Sequence, residues 1–111
     1  MSAFRKQYNR TPTIYGAQAY DTARLIGAGL KASGGQVEGA GANAFREGLR
    51  RAEFDSVRGS FKFDVNQHPI QDFYLIHIER DAGGGLQQRI QRKVATALRD
   101  SYAAECKMPT A

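Results

Sequence analysis

The chain has 111 residues, which suits one ordinary domain and is too short for two. Leu, Ile, Val and Phe make up roughly a fifth of it, so we expect a thin core that a partner or a further segment would complete. No apolar run approaches the ~20 residues of a membrane-spanning helix, so we expect no membrane insertion. The charged start of the chain has no apolar stretch behind it and does not read as a secretory signal.

The net charge of +5 would permit binding to nucleic acid or to an anionic surface. The densest basic cluster consists of Arg89, Arg92 and Lys93, and no aromatic residues are interleaved with it. Because nucleic-acid-binding surfaces usually combine both features, the sequence disfavours a nucleic-acid partner.

The first half of the chain predicts helices. Residues 4–8 form the end of one helix, which stops before Pro12 because proline lacks an N–H. Residues 17–32 form a second helix, ended by the glycines after Ser33. The second helix carries apolar or small residues at spacings of three and four, namely Ala19, Tyr20, Ala23, Ile26, Gly27 and Leu30. This spacing predicts one buried stripe, with small residues for close packing against a sheet or another helix.

A third helix is predicted over residues 43–52, with Asn43 as its N-cap. Its apolar face consists of Phe45, Leu49 and Ala52, and its solvent face of Arg46, Glu47, Arg50 and Arg51. The Gly-rich residues 35–42 connect it to the second helix.

The pattern then changes to strands. Residues 61–65 alternate between apolar and polar side chains, which is typical of a half-buried strand. Residues 66–69 read as a turn. Residues 73–78 are apolar on both faces apart from His77, which predicts a central strand that pairs with 61–65 as a hairpin.

The end of the chain is less regular. Residues 81–85 predict a turn and 86–90 a further strand, whereas the apolar spacing over 91–104 predicts a helix. Residues 105–111 read as a tail. The predicted order is thus two or three helices, then a hairpin, then a C-terminal strand or helix with its tail.

The sequence has no specific signal for catalysis. Residues 27–32 fit the letters of a dinucleotide fingerprint, but they lie inside a predicted helix rather than after a strand, so they indicate helix packing. His68 and His77 have no metal-ligand spacing around them, and Cys106 has no activating neighbour in sequence. We therefore expect no catalytic residue, no metal and no cofactor, and no enzymatic activity. The single cysteine excludes an internal disulfide.

Several short motifs occur in an order that is informative as a set. They are Phe4, Tyr8, Pro12, Tyr15, Tyr20-Asp21, Ala23, Leu30 and Ser33-Gly34-Gly35, then Phe45, Leu49, Phe54, Val57, Gly59, Phe61, Phe63-Asp64, Asn66 to His68, Phe73-Tyr74-Leu75 and Tyr102-(x3)-Cys106-Lys107-Met108. This order resembles the C-terminal third of the periplasmic solute-binding proteins of branched-chain amino acid ABC transporters. The resemblance covers residues 4–108. Ser56 departs from it, because a glycine is usual at that position.

The resemblance implies a fragment of the type I periplasmic-binding-protein fold, in which two α/β lobes close about a hinge over a ligand. Residues 1–111 would form a single partial domain. Residues 4–55 resemble part of the first lobe, and residues 56–111 resemble the hinge and the return to the second lobe. Family members are much longer and carry a secretion signal, so we expect the intact protein to be periplasmic and this chain to be its closing part.

The resemblance also implies a function. The ligand would be an amino acid or a related aromatic or aliphatic carboxylate, and the partners would be the membrane subunits of an ABC transporter. The loop before the Tyr-Asp helix supplies an aromatic ligand contact in the family, which by position is Tyr15, with Gly16 and Gln18 as neighbours. A loop that enters a helix is a common place for such a contact. In relatives the tail cysteine is often paired upstream, so here Cys106 would be free or would link two chains.

Two other functions stay open. A strand with an unpaired edge invites pairing with another chain, so the sequence could form a small self-associating α+β module, such as a homodimer. A basic nucleic-acid-binding protein is the weaker alternative.

Overall fold

The computed structural model describes residues 2–107, and in it three helices precede a three-stranded antiparallel sheet. The helices are α1 (Ser2–Tyr8), α2 (Ile14–Ala32) and α3 (Gly41–Arg51), and the strands are β1 (Lys62–Phe63), β2 (Pro69–Arg80) and β3 (Leu86–Leu98). A 3₁₀ turn, Ala103–Glu105, follows. The α/β fold class is confirmed. Met108 and the rest of the predicted tail beyond it lie outside the described residues.

Helix α2 begins three residues earlier than its apolar pattern predicted. Thr13 adopts an extended backbone with φ of −80°, and its hydroxyl oxygen accepts a hydrogen bond from the Gly16 amide at 3.3 Å. This N-cap sets the first helical residue at Ile14. At the other end, Gly34 and Gly35 adopt φ values of +62° and +86°, as the predicted glycine terminus requires.

The α2–α3 contact depends on two glycines. A Cβ atom on Gly48 would lie 2.9 Å from the Cα atom of Gly29, and one on Gly29 would lie 2.8 Å from the Phe45 ring. The two helix backbones therefore approach one another directly. The prediction of close packing is confirmed at Gly29, whereas a Cβ on Gly27 would meet open space.

The predicted buried stripe of α2 is wrong. Tyr20, Ile26 and Leu30 are exposed, and the buried residues of the helix are Asp21 and Gly29. The reason is that α3 packs on the side of α2 that carries Gly29, and no described element covers the apolar stripe.

Helix α3 also begins earlier than predicted. Its N-cap is Ala40, which makes no side-chain capping hydrogen bond, so the expectation for Asn43 is wrong. The first turn lies so close to the preceding loop that a Cβ on Gly41 would lie 2.3 Å from that of Gln36. Packing of the glycine-rich connection, rather than a capping side chain, thus sets the start of α3.

Strands β1 and β2 pair as predicted, but β1 is shorter than residues 61–65. Lys62 pairs with Ile70 and Phe63 with Pro69. The chain then turns at once, because the Asp64 amide donates to the His68 carbonyl oxygen at 2.8 Å. The order β1-β2-β3 confirms that β2 is the central strand.

The helix predicted over residues 91–104 is wrong, because β3 continues to Leu98 and pairs with β2. The pairing runs from Arg80 opposite Leu86 to Gln71 opposite Leu98, with register shifts along the way. These shifts interrupt the two-residue alternation that identifies a strand in sequence, so the apolar residues fall at helix-like spacings. The predicted turn over residues 81–85 is confirmed.

The thin core is confirmed. Among the described residues, the buried apolar side chains are Ala52 and Ala103. The molecule measures 54 × 34 × 15 Å, so its thickness is about that of one helix with its side chains. Within residues 2–107, no helix combines the length and apolar character needed to cross a membrane.

Candidate ligand-binding site

The three predicted site residues lie on the first turns of α2. Tyr15 is 77% exposed, and Gln18 is also exposed. Because side chains three residues apart are neighbours on a helix surface, Tyr15 and Gln18 share one patch. Tyr15 belongs to the helix itself rather than to the loop before it, because the helix begins at Ile14.

Gly16 plays a structural part in this patch. Its amide donates to Thr13, and a Cβ atom on it would lie 3.8 Å from that of Pro12. The capped turn therefore fixes the helical backbone that carries the Tyr15 side chain. A phenol ring beside an amide side chain at the positive end of a helix offers an apolar surface, hydrogen bonds and a favourable field for a carboxylate.

A buried carboxylate fixes α2 to the rest of the chain. Asp21 is 2% exposed and accepts three hydrogen bonds from one segment. The donors are the Ser56 hydroxyl at 2.7 Å, the Val57 amide at 3.0 Å and the Arg58 Nε atom at 2.9 Å. Arg58 also donates from Nη1 to the Gln71 side-chain oxygen at 3.2 Å, which extends the network to β2. We call these five residues the Asp21 network.

The Asp21 network favours the ionised carboxylate. Burial alone would raise the pKa of Asp21, but the hydrogen bonds from Arg58, Ser56 and Val57 outweigh it and hold the pKa below its ordinary value. The charge of Arg58 acts in the same direction. Asp21 therefore stays charged at neutral pH and keeps α2, with Tyr15 at its start, in one position relative to β2.

Ser56 and Arg58 are structural residues that sequence reasoning missed. Ser56 is the departure from the family pattern, and its hydroxyl donates to Asp21 while accepting from the Arg58 amide at 3.1 Å. The available signal was Asp21 itself, because an acidic residue inside a packed helix must find partners when it is buried. Nothing local in the sequence identifies those partners, which lie at least 35 residues further along the chain.

A second carboxylate holds the chain after β3 against the β1–β2 turn. Asp64 is buried and accepts from Arg99 Nε and Nη2, both at 2.6 Å. These hydrogen bonds lower the pKa of Asp64 to about 2, with the Val65 amide contributing, and they raise the pKa of Arg99. Next to them, Asn66 donates to Asp100 at 2.7 Å.

The basic cluster on β3 is partly neutralised. Lys93 forms an ion pair with Asp72, which raises the pKa of Lys93 and lowers that of Asp72. Arg89 lies 3.4 Å from a Glu79 oxygen.

The two histidines and the cysteine lie in different parts of the structure. Within residues 2–107, no three His, Cys, Asp or Glu side chains are grouped so that they could hold a metal ion. His68 lies beside Asp100, at 3.4 Å between Nδ1 and Oδ2, and His77 is exposed on β2. Cys106 is a free, half-buried thiol.

Comparison with known proteins identifies a family. A family model described as "Periplasmic binding protein" matches residues 1–85, which span α1, α2, α3, β1, β2 and the turn after β2. No curated protein and no solved structure matches the chain significantly.

Proposed function

Because the chain belongs to the periplasmic binding protein family, we propose that it captures amino acids or related small carboxylates for import by an ABC transporter. The family binds solutes and is not enzymatic, and it implies a periplasmic location and transporter partners for the intact protein. The amino acid class and the membrane subunits of the transporter are the further steps that we propose. The observation that carries the proposal is the match over residues 1–85, which includes Tyr15 and the whole of α2.

Tyr15 is the residue that we assign to the ligand, with Gly16 and Gln18 beside it. Tyr15 is 77% exposed, so a large aromatic surface has no partner among residues 2–107. The Asp21 network supports this assignment, since a contact residue is useful only if its helix is held in place.

The large accessible surface of the chain supports the proposal that it is part of a larger protein. It exposes 8670 Å², whereas a compact monomer of this length exposes about 6,000 Å². The radius of gyration is 17.3 Å, against about 13 Å for a compact domain. We propose that residues 4–55 form part of one lobe and residues 56–111 part of the hinge and the other lobe, so that the exposed apolar faces are covered in the intact protein.

The proposed mechanism is closure of two lobes about a hinge. A ligand that contacts both lobes binds the closed state more tightly than the open state, and this difference in affinity drives closure. Tyr15 would contribute the contact from the lobe that contains α2. The closed form would then dock on the membrane subunits.

The test is to measure amino acid binding to the intact protein by calorimetry, with and without Tyr15→Ala. We expect Tyr15→Ala to weaken binding by at least about tenfold, as the loss of one buried aromatic contact requires. Tyr102→Ala is the matched control, because Tyr102 is 70% exposed and lies after β3. Equal affinities for both variants would remove Tyr15 from the site, and binding of no amino acid or small carboxylate would contradict the proposed ligand class.

A second candidate, self-association, is favoured by the outer half of the β2–β3 hairpin. Cross-strand pairing places Ile76, Ile78, Leu86 and Ile90 on one face, and each is exposed. His77 and Gln87 lie on the opposite face. The apolar face would bury itself against a second copy. Light scattering would show an oligomer. The double variant Ile78→Lys with Ile90→Lys should disperse it, whereas the control variant His77→Lys with Gln87→Lys on the opposite face should not. A monomer at high concentration would exclude this candidate.

A further inference from the structure

A groove between α2, α3 and β1 combines an apolar floor with a cationic rim. Its volume is about 490 Å³, which is within the range of small-molecule sites. The residues that line it are Leu25, Arg46, Leu49, Arg50, Phe63 and Gln67. Leu25, Leu49 and Phe63 form the floor, and the two arginines lie along the α3 side.

The two arginines carry more positive charge than their surroundings balance. Arg46 and Arg50 are four residues apart on α3, so their side chains are neighbours and repel one another. Arg50 has a partner in Glu47, at 3.3 Å between Nη1 and Oε1. Among the described residues, Arg46 forms no ion pair. An anion between the two guanidinium groups would relieve the repulsion and supply the missing partner.

The groove is separate from the surfaces already discussed. Successive helix residues are rotated by about 100°, so Leu25 points to a different side of α2 from Ile26 and Leu30. Tyr15 lies ten residues earlier, about 15 Å away along the helix axis. The groove is therefore a different surface from both the exposed stripe of α2 and the patch at Tyr15.

We propose that this groove binds an amphipathic organic oxyanion, with its apolar chain on Leu25, Leu49 and Phe63 and its carboxylate or phosphate head on Arg46 and Arg50. A guanidinium group recognises either head through paired N–H donors. The floor selects an apolar chain, because burying three partly exposed apolar side chains against hydrocarbon is favourable.

The test is an NMR titration of the chain with octanoate and, separately, with octyl phosphate, each below the concentration at which it forms micelles. We expect saturable shifts at the amides of Leu25, Leu49 and Phe63 for at least one ligand, with a Kd below about 1 mM. The preferred head identifies the class of oxyanion. Octan-1-ol has the same chain without the charge, and we expect it to bind at least about tenfold more weakly.

Substitutions of single arginines distinguish binding at the rim of the groove from a general effect of positive charge on α3. Arg46→Gln is expected to weaken binding about tenfold, and the double variant with Arg50→Gln more. Arg51→Gln is the matched control, since Arg51 lies on the same helix, is exposed and does not line the groove. Equal binding of octan-1-ol, an equal effect of Arg51→Gln, or the absence of saturable shifts for both anions would overturn the proposal. None of these outcomes bears on Tyr15.

Discussion

At the scale of single residues, Asp21 connects α2 to a distant segment of the chain through hydrogen bonds. Its carboxylate accepts hydrogen bonds from Ser56, Val57 and Arg58, and Arg58 in turn donates to Gln71 on β2. Removing the charge from a buried, multiply bonded carboxylate leaves its donors without a partner. Asp21 therefore adds a polar link between α2 and β2 to the packing of α2 on α3.

Asp21→Asn tests this link. The amide places an NH₂ group where Ser56 and Arg58 donate, so we expect a loss of about 3 kcal/mol in the free energy of unfolding. Urea unfolding followed by circular dichroism measures it. Asp55→Asn is the control, because Asp55 is fully exposed and lies 3.8 Å from Arg24, and we expect it to change the free energy of unfolding far less than Asp21→Asn does. A similar loss in both variants would show that Asp21 has no special role.

The lowered pKa of Asp64 predicts how the stability of the fold changes as the pH falls. Its pKa is about 2 in the folded chain against an ordinary 3.8, chiefly because Arg99 donates two hydrogen bonds to it. A carboxyl whose folded pKa is lowered stabilises the fold above the unfolded pKa, and this contribution is lost as the pH falls through the folded pKa. The contribution is therefore complete above pH 3.8 and disappears towards pH 2.

The measurement is the free energy of unfolding of the wild type and of Asp64→Asn between pH 5 and about pH 2. We expect the wild type to lose stability more steeply than the variant below pH 3.8. Asp21 also has a lowered pKa, but it is present in both proteins, so the difference between the two curves isolates Asp64. Parallel curves would contradict the assignment of the Asp64–Arg99 pair.

At the scale of elements, backbone atoms set the distance between α2 and α3 at Gly29 and Gly48. A Cβ on Gly48 would lie 2.6 Å from that of Ala32 and 2.9 Å from the Cα of Gly29. Neither neighbour can rotate away. We expect Gly48→Ala to destabilise the chain by about 2 kcal/mol, because overpacking forces the helices apart.

Gly27→Ala is the matched substitution within α2. A Cβ there meets nothing within 4 Å, and alanine is the better helix former, so we expect a gain of up to about 1 kcal/mol. Thermal unfolding of both variants gives the comparison. Equal effects would show that helix propensity, and not the close approach of Gly29 and Gly48, decides stability at these positions.

The same elements show what a sequence can reveal. The glycines after Ser33 end α2 where expected, because a left-handed terminus is a local property. The second half of β3 was predicted as a helix, because pairing across shifts in register leaves no two-residue pattern to detect. At the candidate site, the family pattern predicts Tyr15 as a ligand contact, and this assignment stays a prediction. The partners of Asp21 could not be predicted, since only the tertiary fold brings Ser56 and Arg58 to it.

At the scale of the whole molecule, the chain divides into a helical part and a long hairpin. Helices α2 and α3 pack on one another and are joined to the rest by the Asp21 network. The hairpin of β2 and β3 extends well beyond the two residues of β1, so most of it is a two-stranded ribbon with exposed apolar residues. A two-stranded ribbon is at best marginally stable in water without a covering layer.

We therefore expect the two parts to open with different free energies in the isolated chain. Native-state hydrogen exchange measures this, because amides in a weaker cooperative unit exchange through smaller openings. The amides of residues 25–29 in α2 should exchange more slowly than those amides of residues 76–80 in β2 that face β3 and are hydrogen-bonded to it. Asp21→Asn should reduce protection in α2 and leave the outer hairpin unchanged. Equal protection in both parts would show that the hairpin is already stabilised by this chain alone, which would remove the reason to expect a covering lobe.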